Sequence, residues 1–267
     1  MNAIAYATLP CYERLISRAG KGLLSWPHKS PHEGCNDRNA IPLDVLRIVA
    51  ATELTEDEYR AKRALPPSIE RVGFDGGVLP VVAFENTGPL AHVFNEALAE
   101  ADDEDTILFT HDDVWFDDFF LIHRLEEALE RFDVVGLAGN GVRVPRQWSW
   151  FSGAKPELRA WESLSGAVAH GDSFGGNVSY FGPTPQTVQV MDGVFLAARV
   201  EKLRSAGVEF DPRFAFHFYD LDFCRSCEKT GLRMGTWPIA VTHASTGAYG
   251  TPEWTAAYHV YLAKWGE

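Results

Sequence analysis

The stretch ILFTHDDVWF (107–116) decides how the rest of the chain is interpreted. It begins as an apolar segment typical of a strand buried on both faces, and it then places His111, Asp112 and Asp113 in a row. A carboxylate after a strand often caps the next helix, but Asp117 and Asp118 are better placed to do so here. Because two adjacent carboxylates repel each other unless a cation joins them, the stretch predicts a cation site at a strand end.

Composition and charge exclude several classes of protein. The chain has 267 residues, 46% of them hydrophobic, which is enough for a full core. It shows neither an apolar run near the roughly 20 residues of a membrane span nor a secretory leader, so we expect a cytoplasmic protein without an integral membrane segment. A formal net charge of -13 repels phosphate backbones, which argues against nucleic acid as a partner. A small anion can still bind if a cation bridges it.

Strands and helices alternate in the first half of the chain. Residues 1–40 read as an N-terminal arm, a short helix followed by an irregular segment. Period and turn residues then predict strands over 45–52, 79–84, 106–110 and 133–139, with helices over 55–65, 90–101 and from 117 onward. The first of these helices is expected to stop at Pro66 and Pro67. Such alternation predicts an α/β fold, a doubly wound and mostly parallel sheet flanked by helices, with ligands at the carboxyl ends of the strands.

The second half opens with a long segment, 143–190, that is predicted to be irregular. After it we expect strands over 188–199 and 214–220, helices over 201–207 and 221–231, an extended run over 233–243 and a closing helix over 252–265. Aromatic side chains of the irregular segment can stack on sugar rings or form a small second core, and both readings stay open. The candidates for contact with a sugar are Trp148, Trp150, Trp161 and Tyr180.

Two further groups of residues have side chains suited to metal binding or to proton transfer. His243 ends the extended run and could join the carboxylates, although a lone histidine is more often simply packed or solvated. Oxygen ligands plus an imidazole suit Mn²⁺ or Mg²⁺, and the nitrogen favours Mn²⁺. Asp220 and Asp222 begin a predicted helix, where one could cap it and the other add a favourable charge. The same helix end keeps a carboxylate ionised, so Asp220 could also accept a proton from a sugar hydroxyl.

Four stretches, in this order, resemble the GT-A-fold glycosyltransferases, most closely the family-2 type and its bacterial relatives. They are ENTGPLAHVFNEALAEADDEDTILFTHDDV, VMDGVFLAAR, FDPRFAFHFYDLDFCRSCEKTGLR and VTHAS, and the resemblance spans roughly residues 45–245. It implies one GT-A domain over 41–267, with a nucleotide-binding half over 41–142 and an acceptor-binding and catalytic half over 143–267.

The resemblance also implies roles for single residues. THDDV matches the family's D-x-D element, with His111 in place of the first Asp and Asp113 at the metal-binding second Asp. Asp112 would help to hold the metal or, like His111, contact ribose. His243 matches the C-terminal metal ligand. The remaining nucleotide contacts map onto Ala51, Thr52, Glu85 and Asn95.

On the sugar side, Asp192 matches the residue near the donor sugar, and Asp220 matches the catalytic base of inverting members. Tyr219 stands where an acidic residue often precedes that base. Asp222 is expected on the acceptor side with the aromatic residues.

These residues predict a Mn²⁺- or Mg²⁺-dependent transferase that moves a sugar from UDP-sugar to a carbohydrate or glycoconjugate acceptor with inversion. A retaining transferase on the same fold is the nearest alternative. A catalytically silent sugar-nucleotide or glycan-binding protein is another, because the HDD element departs from the family pattern. A nucleotidyltransferase is disfavoured, since no Gly-rich loop with basic residues follows the first strand.

Overall fold

The structure, a computed structural model, describes residues 24–25, 45–74, 77–152, 162–245, 247 and 249–266. The predicted arm over 1–40 lies outside these residues except for Leu24–Ser25. The strands are β1 (Leu24–Ser25), β2 (Leu46–Ala51), β3 (Val78–Ala83), β4 (Thr106–Thr110), β5 (Val114–Phe116), β6 (Val134–Gly136), β7 (Ala138–Asn140), β8 (Leu164–His170), β9 (Asn177–Gly182), β10 (Gln186–Thr187), β11 (Val190–Met191), β12 (Phe195–Arg199), β13 (Met234–Thr236) and β14 (Val241–His243). The helices are α1 (Glu56–Lys62), α2 (Leu65–Val72), α3 (Leu90–Glu100), α4 (Leu121–Arg131), α5 (Val200–Ala206), α6 (Tyr219–Thr230) and α7 (Pro252–Trp265).

The main sheet is mixed, which agrees with the predicted α/β class. Its strands among the described residues lie in the order β1-β3-β2-β4-β12-β6-β13-β10. β3, β2 and β4 run parallel, as do β6 and β13, whereas β12 runs antiparallel to both of its neighbours. The predicted parallel character therefore holds on either side of β12, and helices flank the sheet.

A second, smaller sheet contains β5 and β14, the strands that position Asp113 and His243. In the described part of the chain its order is β11-β7-β8-β14-β5, with β9 paired to β8. β14 runs antiparallel to β5, with His243 opposite Val114, and parallel to β8, with His243 opposite His170. This sheet brings the end of the HDD stretch against the end of the run that closes at His243.

One buried apolar cluster extends from Leu46 in β2 to Leu262 in α7. It includes both parts of the chain because β12 lies between β4 and β6. Phe94, Phe109 and Phe210 pack against each other within it, with ring centroids 4.9 to 5.0 Å apart. Aromatic pairs of this kind add to the free energy gained by burying their area. None of the helices within the described ranges combines the length and apolar character that crossing a membrane requires.

The helix boundaries show how local sequence acts. α1 begins at a capping box in which Thr55 and Glu58 satisfy each other's backbone N–H groups. The first helix was predicted to run to Leu65 and stop at Pro66 and Pro67, but α1 ends earlier, at Lys62, and both prolines lie in the first turn of the next helix, α2. Proline is tolerated there, since a first-turn N–H has no partner within the helix.

Two predictions for the second half also need correction. Residues 214–218 do not form the predicted strand: Phe218 takes a left-handed conformation, φ 66°, and α6 begins directly after it. The segment predicted to be irregular contains β8, β9 and β10. Gly166 interrupts the periodic pattern of β8, and at φ 98° it lies so close to Leu137 that a side chain would not fit. The side chains of β9 are mostly exposed and so form no alternating buried face.

Candidate functional site

Three side chains from separate elements form a candidate cation site. His111 follows β4, Asp113 precedes β5 and His243 ends β14. Because β5 and β14 pair with His243 opposite Val114, the Ala244 N–H donates to the Asp113 carbonyl at 3.0 Å. One potential ligand atom from each of the three residues lies within 4.8 Å of the others.

The donor atoms fit a single divalent ion. Nε2 of His243 lies 3.1 Å from Oδ1 of Asp113 and 3.4 Å from Nδ1 of His111. Neighbouring ligands of an octahedral ion bound at about 2.1 Å are about 3 Å apart, so little movement is needed. Imidazole and carboxylate are both common ligands of divalent metals.

The pKa shifts of Asp113 and His111 favour the protonation states that metal binding requires. Burial acts to raise the pKa of Asp113, but the hydrogen bond and charge of His243, the charge of His111 and the Ser245 hydroxyl bring it well below its usual range. Burial, together with the neighbouring His243, lowers the pKa of His111. The site therefore offers an ionised carboxylate and a neutral His111, the protonation states that bind metal.

Asp112 lies beside this group but has another partner. Its Oδ2 is 2.8 Å from Nε of Arg63, and the Thr52 hydroxyl also hydrogen-bonds its carboxylate. Burial raises its pKa, and Thr52 and Arg63 only partly offset that effect. The geometry thus puts His111 with the cation donors and Asp112 beside Arg63, whereas the resemblance put His111 at the ribose and Asp112 at either the metal or the ribose.

A cavity of about 510 Å³, here called the strand-end cavity, opens beside Asp112. This volume lies within the range of ligand-binding pockets. Ala51 and Thr52, predicted as nucleotide contacts, line it together with Arg63. Glu85 is exposed at a positive φ of 50°, and the next residue, Asn86, is the one that lines the cavity.

Asn95, the other predicted nucleotide contact, is engaged elsewhere. Its side-chain amide donates to the Phe210 carbonyl and accepts from the Phe210 N–H, both at 2.8 Å. These two bonds connect α3 to the segment before α6. The structure therefore gives Asn95 a role in the fold and does not bring it into the site.

A second cleft, here called the aromatic cavity, adjoins the strand-end cavity. His111, Phe216 and Ser245 line both of them. The candidate cation site therefore lies where the two cavities meet. The aromatic cavity is further lined by Asp192, Asp220, His170, Trp148, Tyr249 and Trp254.

Asp220 presents its carboxylate to the aromatic cavity from the first turn of α6. The backbone N–H groups of Leu221 and Gly193 donate to its two oxygens at 2.8 and 3.2 Å. Burial, followed by the negative charge of Asp192, raises the pKa of Asp220 to about 7, and these N–H groups limit the rise. A carboxylate with that pKa can exchange protons near neutral pH.

The aromatic residues predicted to contact a sugar divide into separate groups. Trp148 is 40% exposed and meets Tyr249 and Trp254 edge-on in the wall of the aromatic cavity. Trp150 is only 5% exposed and packs edge-on against Phe181, but it also lines the aromatic cavity. Tyr180 is 69% exposed on β9, and Trp161 lies outside the described residues.

Asp222 is not brought to the acceptor side. Its carboxylate is fully buried and receives hydrogen bonds from Nζ of Lys264 at 2.8 Å and from Nε1 of Trp265 at 2.9 Å. These contacts attach the end of α7 to α6. An acceptor in the aromatic cavity would therefore not reach this group.

Several residues of the site were not predicted from the sequence, and two of them, His170 and Tyr219, have polar groups close to the cation donors or the cavity. His170 lines the aromatic cavity, and its buried Nδ1 has no hydrogen-bond partner among the described residues. Tyr219 hydrogen-bonds His111, with its hydroxyl 2.9 Å from Nε2. His170 ends β8 as His243 ends β14, but the sequence predicted β8 to be irregular, so this shared placement became visible only in the structure.

Comparison with known proteins gives similarity of fold only. No protein-family model matches the chain, and no curated protein matches it. The structure is similar to A197 from STIV, with 12% identity and a TM-score of 0.42 over 78% of this chain and 97% of that one. It is also similar to GalNAc-T7 with UDP, GalNAc and Mn²⁺, with 12% identity and a TM-score of 0.49 over 83% of this chain and 48% of that one.

A third similar structure is S. aureus TarS 1-349 in complex with UDP, with 15% identity and a TM-score of 0.39 over 76% of this chain and 61% of that one. The chain thus spans about half the length of the GalNAc-T7 chain that it matches. Similarity of this degree assigns no substrate or reaction to the chain.

Proposed function

We propose that the chain is a metal-dependent glycosyltransferase that moves a sugar from UDP-sugar to an acceptor hydroxyl with inversion. One observation carries the proposal: Asp220, His111 and His243 line one aromatic cavity, and Asp113, the third member of the candidate cation site, lines the adjoining strand-end cavity. A diphosphate leaving group needs positive charge, and an attacking hydroxyl needs a base. The site offers groups suited to both needs.

The nucleotide would occupy the strand-end cavity. Thr52, Asp112 and Arg63 present a hydroxyl, a carboxylate and a guanidinium there, which suit the hydrogen bonds of a ribose or a base. A divalent ion, Mn²⁺ by preference, would be held by Asp113, His243 and His111 and would stabilise the negative charge of the departing diphosphate. It would also allow a chain with a net charge of -13 to bind a pyrophosphate.

The donor sugar would extend into the aromatic cavity beside Asp192, and the acceptor would enter along Trp148. Asp220 would take the proton of the acceptor hydroxyl while its oxygen forms the new bond to the anomeric carbon. The bond from that carbon to the diphosphate breaks, and UDP leaves with the electron pair. The N–H groups of Gly193 and Leu221 hold the base in position.

Calorimetry tests the nucleotide and metal parts together. We expect UDP to bind in the presence of Mn²⁺ and its affinity to fall at least about tenfold in EDTA, because the ion connects the phosphates to the acidic site. GMP and AMP serve as nucleotide controls. Equal UDP affinity with and without metal contradicts the metal-dependent reading.

Asp220→Asn tests the base. The variant should bind UDP with Mn²⁺ as the unchanged chain does, yet lose transfer to an acceptor by about 10²-fold or more. Hydrolysis of UDP-sugar by the unchanged chain provides an assay that needs no acceptor. A fully active variant removes Asp220 from the base role, and retention at the anomeric carbon of the product overturns the single displacement.

A further inference from the structure

The two departures of this chain from the glycosyltransferase pattern contact each other. His111 stands where that pattern has an Asp, and Tyr219 stands where an acidic residue often precedes the base. They are 108 residues apart in sequence, yet Nε2 of His111 lies 2.9 Å from the Tyr219 hydroxyl. Considered separately, neither departure from the pattern has an evident structural reason. The contact between His111 and Tyr219 indicates that the two residues act together.

The direction of the hydrogen bonds follows from a count of protons. The Tyr219 hydroxyl has one proton, and it donates that proton to the Gly193 carbonyl at 2.8 Å, since a carbonyl oxygen only accepts. The contact with His111 must then use a proton on the histidine. His111 is therefore the tautomer with hydrogen on Nε2, and its Nδ1 carries a lone pair and no proton.

That lone pair belongs to the cation group. Nδ1 of His111 lies 3.4 Å from Nε2 of His243, which in turn lies 3.1 Å from Oδ1 of Asp113. Phe216 stacks on the His111 ring at a centroid distance of 5.8 Å and restricts its rotation. A histidine that binds metal through one nitrogen usually donates the other N–H to a fixed partner, and Tyr219 is such a partner.

Gly193 leaves the room that this arrangement requires. A β-carbon at position 193 would lie 2.4 Å from the Tyr219 hydroxyl oxygen, so a side chain there would displace the hydroxyl. Tyr219 is itself only 4% exposed and is packed against Phe94 and Phe210. Its hydroxyl is thus held at one place by packing on the ring and by the Gly193 carbonyl.

We propose that Tyr219 is a positioning residue that holds His111 in its Nε2–H tautomer, so that Nδ1 of His111 serves as a third ligand beside Asp113 and His243. The donor set is then two imidazoles and one carboxylate. Such a set favours Mn²⁺, Co²⁺ or Zn²⁺ over Mg²⁺, which prefers oxygen. The inference deepens the cation site of the proposed function, but it is tested without nucleotide and so stands or falls separately from transfer.

The first test reads the tautomer in the metal-free chain. Nitrogen-15 NMR of the histidine side chains, with His111 assigned through the variant His111→Ala, should show a proton on Nε2 and none on Nδ1. Tyr219→Phe should disturb that preference. A proton on Nδ1 in the unchanged chain overturns the proposal, and because this measurement needs no Tyr219 variant, it decides even if Tyr219→Phe does not fold.

The second test measures metal binding by calorimetry. Tyr219→Phe should weaken Mn²⁺ and Co²⁺ binding by about 10- to 100-fold, the usual effect of losing such a partner, and should weaken Mg²⁺ binding less. Tyr59→Phe is the matched control, because Tyr59 is also buried and its hydroxyl has no hydrogen-bond partner among the described residues. Unchanged Mn²⁺ affinity in Tyr219→Phe refutes the positioning role.

A double-variant cycle separates positioning from general damage to the fold. In the His111→Ala background, Tyr219→Phe should change Mn²⁺ affinity less than twofold, because the residue through which it acts is gone. If Tyr219→Phe costs the same in both backgrounds, Tyr219 does not act through His111 and the proposal fails.

Discussion

Asp113 and His243 are 130 positions apart in the sequence, yet Oδ1 of one lies 3.1 Å from Nε2 of the other. The contact results from strand register, because β14 pairs with β5 so that His243 is opposite Val114, one residue after Asp113. A shift of one residue would turn His243 to the other face of the sheet. The cation site therefore depends on the small second sheet as much as on its ligands.

Asp113→Asn should abolish most metal binding. It removes the only carboxylate of the three-residue group, and loss of a direct ligand should lower Mn²⁺ affinity by more than about 100-fold, the upper end of what loss of a supporting partner costs. Calorimetry measures the change. Asp57→Asn, on the exposed first turn of α1, is the control and should bind Mn²⁺ normally. Comparable losses in both variants would indicate a general charge effect and count against the site.

Transfer or hydrolysis of UDP-sugar should depend on pH through Asp220. Because burial and Asp192 raise its pKa to about 7, the proton acceptor is mostly blocked below that pH and free above it. We expect kcat/KM to rise about tenfold per pH unit below 7 and to level off above it. A profile that is flat between pH 5.5 and 8 would show that another group accepts the proton.

The Asp220 carboxyl should also make the free energy of unfolding depend on pH. The pKa of Asp220 is raised in the fold, so the folded chain holds the proton more tightly than the unfolded chain between about pH 4 and 7. The stabilisation that the Asp220 carboxyl contributes is complete below its pKa in the unfolded chain. It is lost as the pH rises through the pKa of Asp220 in the folded chain. Relative to Asp220→Asn, the unchanged chain should therefore lose about 1–3 kcal/mol of unfolding free energy between pH 4 and 8. Urea unfolding in EDTA measures this difference, and parallel pH profiles for the two proteins would refute it.

Asn95→Ala should affect stability and leave UDP binding unchanged. The substitution leaves the N–H and carbonyl of Phe210 without their partner, which should cost about 1–3 kcal/mol. Asn86→Ala is the matched variant, because Asn86 lines the strand-end cavity and bonds only locally to Gly88. Urea unfolding and UDP calorimetry on both variants separate the two roles. Loss of UDP affinity in Asn95→Ala without loss of stability would return Asn95 to the nucleotide site.

Asp222→Ala should destabilise the chain. The fully buried carboxylate accepts hydrogen bonds from Lys264 and Trp265; Lys264 keeps Asp211 as a partner, but Nε1 of Trp265 loses its acceptor, which should cost about 1–3 kcal/mol. Differential scanning calorimetry measures the loss, with Glu253→Ala at the exposed start of α7 as the control. A variant of normal stability that loses acceptor binding would instead support the role predicted from the sequence.

The spacing of apolar residues along the sequence predicted those strands and helices whose buried residues recur at regular intervals. The apolar runs that became β2, β3 and β4 and the helical stripe of α3 were recognisable because each packs one continuous face or both faces into the core. The strand predicted over 214–220 failed because Phe214 and Phe218 are buried without strand pairing, and Phe218 turns the chain into α6. β8 was missed because Gly166, at a tight contact with Leu137, interrupts its pattern, and β9 was missed because its side chains are mostly exposed and form no alternating buried face.

The sequence by itself determined that ligand-type side chains follow a buried strand, that Asp220 begins a helix, and that strands alternate with helices in the first half. Periodicity and residue type carry that information because they depend on near neighbours. Only the tertiary structure decided which of those side chains meet. It brings His111 into contact with Tyr219 and Asp113 into contact with His243. It also places Asn95 and Asp222 in hydrogen bonds that hold the fold together and not in the site. Such contacts depend on strand register and helix packing between distant segments, which no local pattern records.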